Sequence, residues 1–273
     1  VQSPIDFRGR VRLTLDEGGI ASVSLTRPEK HNGVDFDTLE ALVEAARSVM
    51  RDKQVRAVIL KGEGPSFCAG LDVKTVMRDR RRYLRFAFEM FSPWRNLFQR
   101  VNLLWREVPV PVVAVVHGNC FGAGLQLAAG ADLRFAHPDA HLSIMEAKWG
   151  LIPDMGAMVT LRNLVARDDL LDLVMTARVV DAHEALRCGL VTRIDAEPEV
   201  AARAWLAEVL ERSPDAIDAA KRLINATETG SDSAALAAER RWQRRLIGRL
   251  NQRLSIKKQL GAAFAGFKPS RFR

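Results

Sequence analysis

Two carboxylates, Glu146 and Asp154, stand eight positions apart and flank the apolar segment Trp149-Gly150-Leu151-Ile152-Pro153. An apolar surround raises a carboxylate's pKa and suits it to exchanging protons near neutral pH. Shortly before them runs Phe121-Gly122-Ala123-Gly124-Leu125-Gln126. Its small residues let a ligand approach the backbone closely, and residues 125–129 would start a helix whose N-terminus favours negative charge. A third segment, Ser66-Phe67-Cys68-Ala69-Gly70-Leu71-Asp72, leaves a strand and offers the Leu71 N–H as a donor. Backbone donors beside carboxylates are what a site needs to polarise a carbonyl and move a proton. Each piece alone also reads as structure: an ordinary strand-to-helix connection, a loop that needs glycine for its geometry, and a solvated pair of acids.

These groups need a scaffold, and the first two thirds of the chain alternate strand and helix signals. Residues 11–15 and 20–25 alternate as strands around Gly18-Gly19. Residues 37–50 form an amphipathic helix on the spacing of Leu39, Leu42, Val43, Ala46 and Val49, with Asp37 and Glu40 as its capping box. Residues 55–60 and 112–116 are short apolar strands, each followed by one of the loops described above. This rhythm argues for an α/β domain over residues 1–200. Beyond Pro198 the strand signals stop. Pro198 and Ser213-Pro214 open helices, and residues 231–261 read as another, carrying Leu236, Trp242, Leu246, Leu250 and Leu254. Residues 201–273 are therefore expected to form a helical appendage, whose apolar stripe packs on a partner subunit or on the chain's own core.

With 273 residues, 48% hydrophobic, the chain can bury a large core. A net charge of +8 favours anionic partners without naming them. Cys68, Cys120 and Cys188 form no CxxC pair, which argues against a disulfide framework or a structural zinc site and for a reduced, cytoplasmic setting. The opening VQSPIDFRGR has no apolar signal core, and the longest apolar run, from Val108 to Val116, is broken by two prolines and too short to span a bilayer. No metal site is expected. Arg78, Arg80, Arg81, Arg82 and Arg85 precede Tyr83, Phe86, Phe88, Phe91, Trp94 and Phe98 in a basic-aromatic cluster of the kind that binds nucleic acid. No nucleic-acid-binding signature accompanies it, and the aromatics read better as an acyl pocket or a helix core.

In combination the motifs are more specific. Ala69-Gly70-Leu71-Asp72 after one strand, Gly118 to Gln126 after another, and Glu146 with Asp154 resemble the enoyl-CoA hydratase/isomerase (crotonase) superfamily. So do Arg27-Pro28-x3-Asn32, the segment from Thr176 to Val191, and Phe264-x2-Phe267-Lys268; together the likeness covers residues 10–268. The resemblance implies a crotonase-like spiral of repeated ββα units with a C-terminal helical region, and an acyl-CoA thioester as substrate. Coenzyme A is then part of the substrate, and no separate cofactor is implied. It also implies a homotrimer or hexamer.

By the same resemblance the thioester oxygen is held by the N–H groups of Leu71 and Ala123, although the family usually has Gly at the second position. CoA contacts fall on Arg27, Lys30, Ala69, Asp72 and Lys268. Hydratases of the family carry glutamates at the positions of Gln126 and Glu146; here the first is an amide, which cannot exchange a proton with water. Dienoyl-CoA isomerases carry a carboxylate at position 126, a Glu at position 146 and an Asp at position 154; the last two match, and Gln126 would then be a neutral polar residue in the pocket. The leading expectation is thus a 1,5-proton shift on a dienoyl-CoA, with Asp154 as base and Glu146 as acid. Enoyl-CoA hydration in fatty acid β-oxidation, and acyl-CoA binding with little turnover, remain as alternatives.

Overall fold

The computed structural model describes residues 3–273. A seven-stranded sheet and a three-stranded sheet organise the α/β part. In chain order its elements are β1 (Ile5–Phe7), β2 (Val11–Leu15), β3 (Ile20–Leu25), α1 (Phe36–Arg51), β4 (Ala57–Gly62), α2 (Val73–Arg78), α3 (Arg80–Glu89), α4 (Leu97–Glu107), β5 (Val112–Val116), β6 (Asn119–Phe121), α5 (Ala123–Ala129), β7 (Leu133–Ala136) and β8 (His141–Ser143). There follow α6 (Ala157–Leu161), α7 (Arg167–Thr176), β9 (Val180–Asp181), α8 (Ala182–Arg187) and β10 (Arg193–Ile194), then four helices: α9 (Pro198–Leu210), α10 (Pro214–Thr227), α11 (Asp232–Leu246) and α12 (Leu250–Gln259). The large sheet runs β1-β2-β3-β4-β5-β7-β10, and the small one β6-β8-β9. β1, β2 and β3 pair antiparallel, while β3, β4, β5, β7 and β10 are parallel.

The parallel strands are buried on both faces, as parallel strands covered by helices should be. In β5, Val112, Ala114 and Val116 enter the core shared with α1 and α4, while Val113 and Val115 face the other way. Ala57 and Ile59 of β4 join that second face, where Ala202 and Leu206 of α9 cover them. The division expected at residue 200 thus falls inside α9, and this helix belongs with the α/β part. The amphipathic reading did not reveal this, because a helix lying on a sheet looks like any other helix in sequence.

Two local expectations shift for physical reasons. α1 is capped by Asp35, not by Asp37. The Asp35 carboxylate accepts from Thr38 N and Thr38 Oγ1, both at 2.8 Å, and is held by Arg10 at 3.0 Å and Arg27 at 3.2 Å. Asp37 instead pairs with Arg82 at 2.8 Å, tying α1 to α3. The single helix expected over residues 231–261 is two helices. They break at Gly248, whose φ of +73° is a conformation that favours glycine. Ser213 caps α10 with Pro214 in its first turn, as expected, and Ser231 caps α11.

The C-terminal helices are tied to the sheet through a buried pair. Lys221 of α10 reaches Asp132 at 2.7 Å and the carbonyl of Val110 at 2.9 Å, and Asp132 also accepts from Val112 N at 2.8 Å. Burial pushes the Asp132 pKa up and the Lys221 pKa down, each opposed by the partner's charge.

Candidate active site

The two loops that follow β4 and β5 meet side by side. Cys68 and Cys120 pair as an isolated parallel bridge, and Phe121 N donates to Cys68 O at 3.0 Å. The first loop is pinned from behind by the Arg27–Asn32 turn. Val34 N donates to Gly70 O and Asp72 N to Val34 O, both at 2.8 Å, while Ala69 N donates to His31 O at 2.9 Å. Asn32 supports this turn from inside: its Oδ1 accepts from Arg27 N at 2.9 Å, and its Nδ2 donates to Glu63 O at 2.9 Å and Ser66 O at 2.8 Å. Asn32 adopts a φ of +56°, which Asn tolerates better than most side chains. Asn32 is therefore a positioning residue for the loop that carries Leu71. Its presence in the Arg27-to-Asn32 motif was the signal.

These bonds use the carbonyl of Gly70 and the N–H of Asp72, on either side of Leu71, and leave the Leu71 N–H out of the pairing. Ala123 is the first residue of α5, so its N–H has no partner within the helix. Neither N–H donates to a protein acceptor among the described residues. The two lie close together: a Cβ built on Gly70 would stand 4.0 Å from Ala123 N and 3.0 Å from Phe121 O, and Gly70 has a φ of +99°. A side chain at Gly70 would crowd the space between the donors. The left-handed backbone that the second loop needs falls on Gly122, with φ +48°, and not on Ala123. The methyl group of Ala123 is accordingly unstrained.

Both donors open into a cleft of about 560 Å³. Gln126, Glu146 and Asp154 line it together with Tyr83, Phe86, Met90 and Phe98. The segment between Arg78 and Arg106 thus supplies the apolar wall through α3 and α4. Phe88, Phe91 and Trp94 do not; they point to solvent. Trp149, Leu151 and Ile152 also border the cleft but stay largely exposed, so they form its rim.

Gln126 is 1% exposed, and both ends of its amide are occupied. Its Nε2 donates to Glu146 Oε1 at 2.6 Å, and its Oε1 accepts from Met155 N at 2.9 Å. One carboxylate oxygen of the neighbouring acid and the backbone beside the other acid are therefore held by a single side chain. Glu146 Oε2 is buried with no hydrogen-bond partner. Glu146 Oε1 lies 3.4 Å from where a Cβ on Gly122 would stand, next to the Ala123 N–H. Burial raises the Glu146 pKa, and the charge of Asp154 adds to it, against the opposing hydrogen bond from Gln126. Partial burial raises Asp154 as well, although this residue is exposed at the mouth of the cleft and its shift is screened accordingly.

The expected CoA contacts separate. Ala69 lines the cleft, and Lys30 is exposed on the turn behind it. Arg27 is 8% exposed, and its guanidinium is already engaged: Nη1 donates to Gly33 O at 2.7 Å and pairs with Asp35, while Nη2 reaches Asp72 at 3.3 Å. Asp72 in turn caps α2, accepting from Thr75 N at 3.2 Å and Thr75 Oγ1 at 2.8 Å. Burial works to raise the Asp72 pKa, but the bonds from Thr75 and Arg27 outweigh it and hold the pKa low. Arg27 and Asp72 here bind each other and brace the Leu71 loop instead of standing free for a phosphate. Lys268 lies away from the cleft, beside Lys53 and Arg56. Its backbone exchanges hydrogen bonds with Asn251 at 2.9 and 3.0 Å. Among the described residues no cluster of three or more metal-ligating side chains occurs, and no helix is long and apolar enough to cross a membrane.

A family profile described as enoyl-CoA hydratase/isomerase matches residues 16–264. The chain belongs to the enoyl-CoA hydratase/isomerase family. It is 32% identical over 226 residues to the mitochondrial Delta(3,5)-Delta(2,4)-dienoyl-CoA isomerase of Homo sapiens, covering 77% of this chain and 67% of that protein. It is 34% identical over 210 residues to a probable enoyl-CoA hydratase of Mycobacterium leprae, covering 76% of this chain and 79% of that one. The enoyl-CoA hydratase of Mycobacterium smegmatis superposes with a TM-score of 0.83 at 27% identity, over 96% of this chain and 99% of the other. An enoyl-CoA hydratase candidate from Thermobifida fusca YX, solved with acetoacetyl-CoA, gives a TM-score of 0.79 at 28% identity, over 89% and 96% of the two chains. The family, the crotonase fold and the enzymatic character of the family are thereby shown. Relatives named as isomerases and as hydratases stand at similar distance.

Proposed function

We propose that the chain isomerises a 3,5-dienoyl-CoA to a 2,4-dienoyl-CoA by a 1,5-proton shift. The observation that carries this reading is the pairing of Gln126 with Glu146. The position where a two-glutamate hydratase would hold its second acid is an amide, bonded at both ends, while a second acid, Asp154, faces the same cleft. An amide can orient a carboxylate but cannot trade protons with water.

In this reading the thioester oxygen sits between the N–H groups of Leu71 and Ala123. Removal of a C2 proton breaks that C–H bond and leaves its electron pair delocalised over the diene and the thioester oxygen. Two fixed donors stabilise the developing charge, each by roughly 3 kcal/mol. Delivery of a proton to C6 completes the shift, with the double bonds moved from positions 3 and 5 to positions 2 and 4. Glu146 Oε1 lies beside Gly122, the residue before Ala123, and on that ground we assign Glu146 as the C2 base and Asp154 as the C6 acid. The family resemblance implies the opposite order, with Asp154 as base and Glu146 as acid. The unpartnered Glu146 Oε2 is the free acceptor that such a base requires.

Hydration is the second reading, favoured by the same free oxygen, which can also hold a water. A panel of enoyl-, dienoyl- and hydroxyacyl-CoA thioesters with product identification separates the two. Conversion of 3,5-dienoyl-CoA with little hydration of crotonyl-CoA is expected. Efficient hydration with dienes ignored would overturn the proposal, and binding without turnover of any thioester would make the chain an acyl-CoA-binding protein. The order of the acids is tested in deuterated water. Asp154→Asn should lose isomerisation yet still exchange the C2 proton, whereas Glu146→Gln should lose both. Loss of exchange in Asp154→Asn would return the base role to Asp154.

A further inference from the structure

Two cavities meet at α3. The cleft described above ends on Tyr83, Phe86, Met90 and Phe98. Beyond the same helix a second cavity of about 550 Å³ lies against α1 and α4, and Phe86 borders both. The partition is made of side chains. The Phe86 and Phe98 rings stand 4.3 Å apart between centroids, and Phe98 meets Phe36 at 6.2 Å.

The second cavity is rich in arginine, and its acids are already matched. Glu40 and Glu44 are paired with Arg8 at 2.5 and 2.7 Å, Asp79 with Arg82 at 3.5 Å, and Glu89 with Arg85 at 3.2 Å. Arg47 and Arg81 also line this cavity, and neither has a carboxylate within ion-pair distance among the described residues. Arg100 approaches Glu89 no closer than 3.9 Å, and its buried Nε has no hydrogen-bond partner. The cavity therefore holds surplus positive charge with free donors on the other side of Phe86 from the acyl cleft. A plain hydrocarbon tail gains nothing from such groups, whereas a carboxylate gains charge-assisted, often bidentate hydrogen bonds.

We propose that the acyl group taken by this chain carries a carboxylate at its distal end, which passes Phe86 and is received by Arg47, Arg81 and Arg100. The inference rests on the acyl-CoA reading above and names its substrate class: ω-carboxyacyl thioesters.

The test is calorimetric binding to the purified full chain. Saturated acyl-CoAs from hexanoyl to dodecanoyl are compared with ω-carboxy counterparts of equal length, none of which an isomerase or a hydratase turns over. One charge-assisted pair predicts about tenfold tighter binding of the ω-carboxy ligand at the length that reaches the arginines. In Arg47→Ala combined with Arg81→Ala, both exposed and so tolerated by the fold, the ratio of the two Kd values should fall towards one. Phe86→Trp, which thickens the partition, should also remove the preference. Equal Kd values in the unaltered chain at every length, or a preference that survives the double variant, would overturn this inference and leave the isomerase reading standing. If no CoA thioester binds, both fall together.

Discussion

Gln126→Leu isolates the role of the residue on which the functional reading turns. Leucine nearly preserves the volume but removes both hydrogen bonds, the 2.6 Å bond to Glu146 and the 2.9 Å bond from Met155 N. A hydrogen bond to a charged group contributes about 1.5–3 kcal/mol, so ionisation of Glu146 should become roughly tenfold to hundredfold less favourable. The sign follows from the directions already present. Burial raises the Glu146 pKa and the Gln126 bond opposes it, so removing the bond raises the pKa further. If Glu146 is the base, the acid limb of kcat/KM must move to higher pH, with a loss below that limb of the same tenfold to hundredfold. Stability shares the linkage. A carboxyl whose folded pKa lies above its unfolded value costs stability when ionised, and the cost fades as pH falls through the folded pKa. The variant's deficit in Tm should accordingly be larger at neutral pH than at acid pH. A residual deficit at acid pH is expected from the unbonded Met155 N–H, about 1–3 kcal/mol. The assays are a pH–rate profile on 3,5-dienoyl-CoA and thermal unfolding across the same range. An unmoved acid limb with a uniform loss of rate would show that Gln126 merely fills space, and the reasoning would fail.

Gln126→Glu should restore a two-carboxylate site. Two acids at that distance cannot both be ionised, so one holds a proton near neutral pH; a measurable gain in crotonyl-CoA hydration is expected, and none would count against the position of residue 126 as the switch. Asn32→Ala removes the bonds to Arg27 N, Glu63 O and Ser66 O that brace the Leu71 loop. It should lower kcat more than it raises KM, whereas a purely structural role would show as lost stability with the kinetic constants of the remaining folded enzyme unchanged. Lys221→Ala leaves the half-buried Asp132 with the Val112 N–H as its remaining hydrogen-bond donor among the described residues. Denaturant unfolding should show a loss of about 3 kcal/mol, the low end for breaking a buried pair, because the Asp132 side chain keeps 27% of its surface exposed.

What could be read from sequence divides along the range of the forces involved. β2, β3 and β5 begin and end where alternation and apolar runs place them, since burial on one or both faces is written in the residues themselves. The loops carrying Leu71 and Ala123 were legible because close approach and left-handed backbone restrict those positions to small residues. Long-range pairings were not legible. Arg27 looks like a free cation next to a proline, and nothing local says that Asp35 and Asp72 will enclose it. The capping of α1 followed the same pattern: Asp35 won over Asp37 because Arg10 and Arg27 come to it from distant parts of the chain. The position of α9 on the sheet, the partition at Phe86 and the relative depth of Glu146 and Asp154 also depend on tertiary placement that periodicity cannot supply.

The substitution of an amide for an acid at position 126 does more than subtract a proton carrier. In a site with acids at positions 126 and 146, both sit against the second loop and so act near the thioester, which suits adding water across C2 and C3. Here position 126 contributes a donor to Glu146 and an acceptor to the Met155 backbone. Its effect is to lock one acid and the segment bearing the other into a single arrangement. The second carboxylate, Asp154, comes from the loop before α6, next to exposed Leu151 and Ile152, and lines the same cleft. A water held by Glu146 alone would lack a partner to exchange its second proton, whereas a conjugated diene carries the charge itself from one acid to the other. In the isomerase reading proposed above, the substrate therefore bridges the two carboxylates.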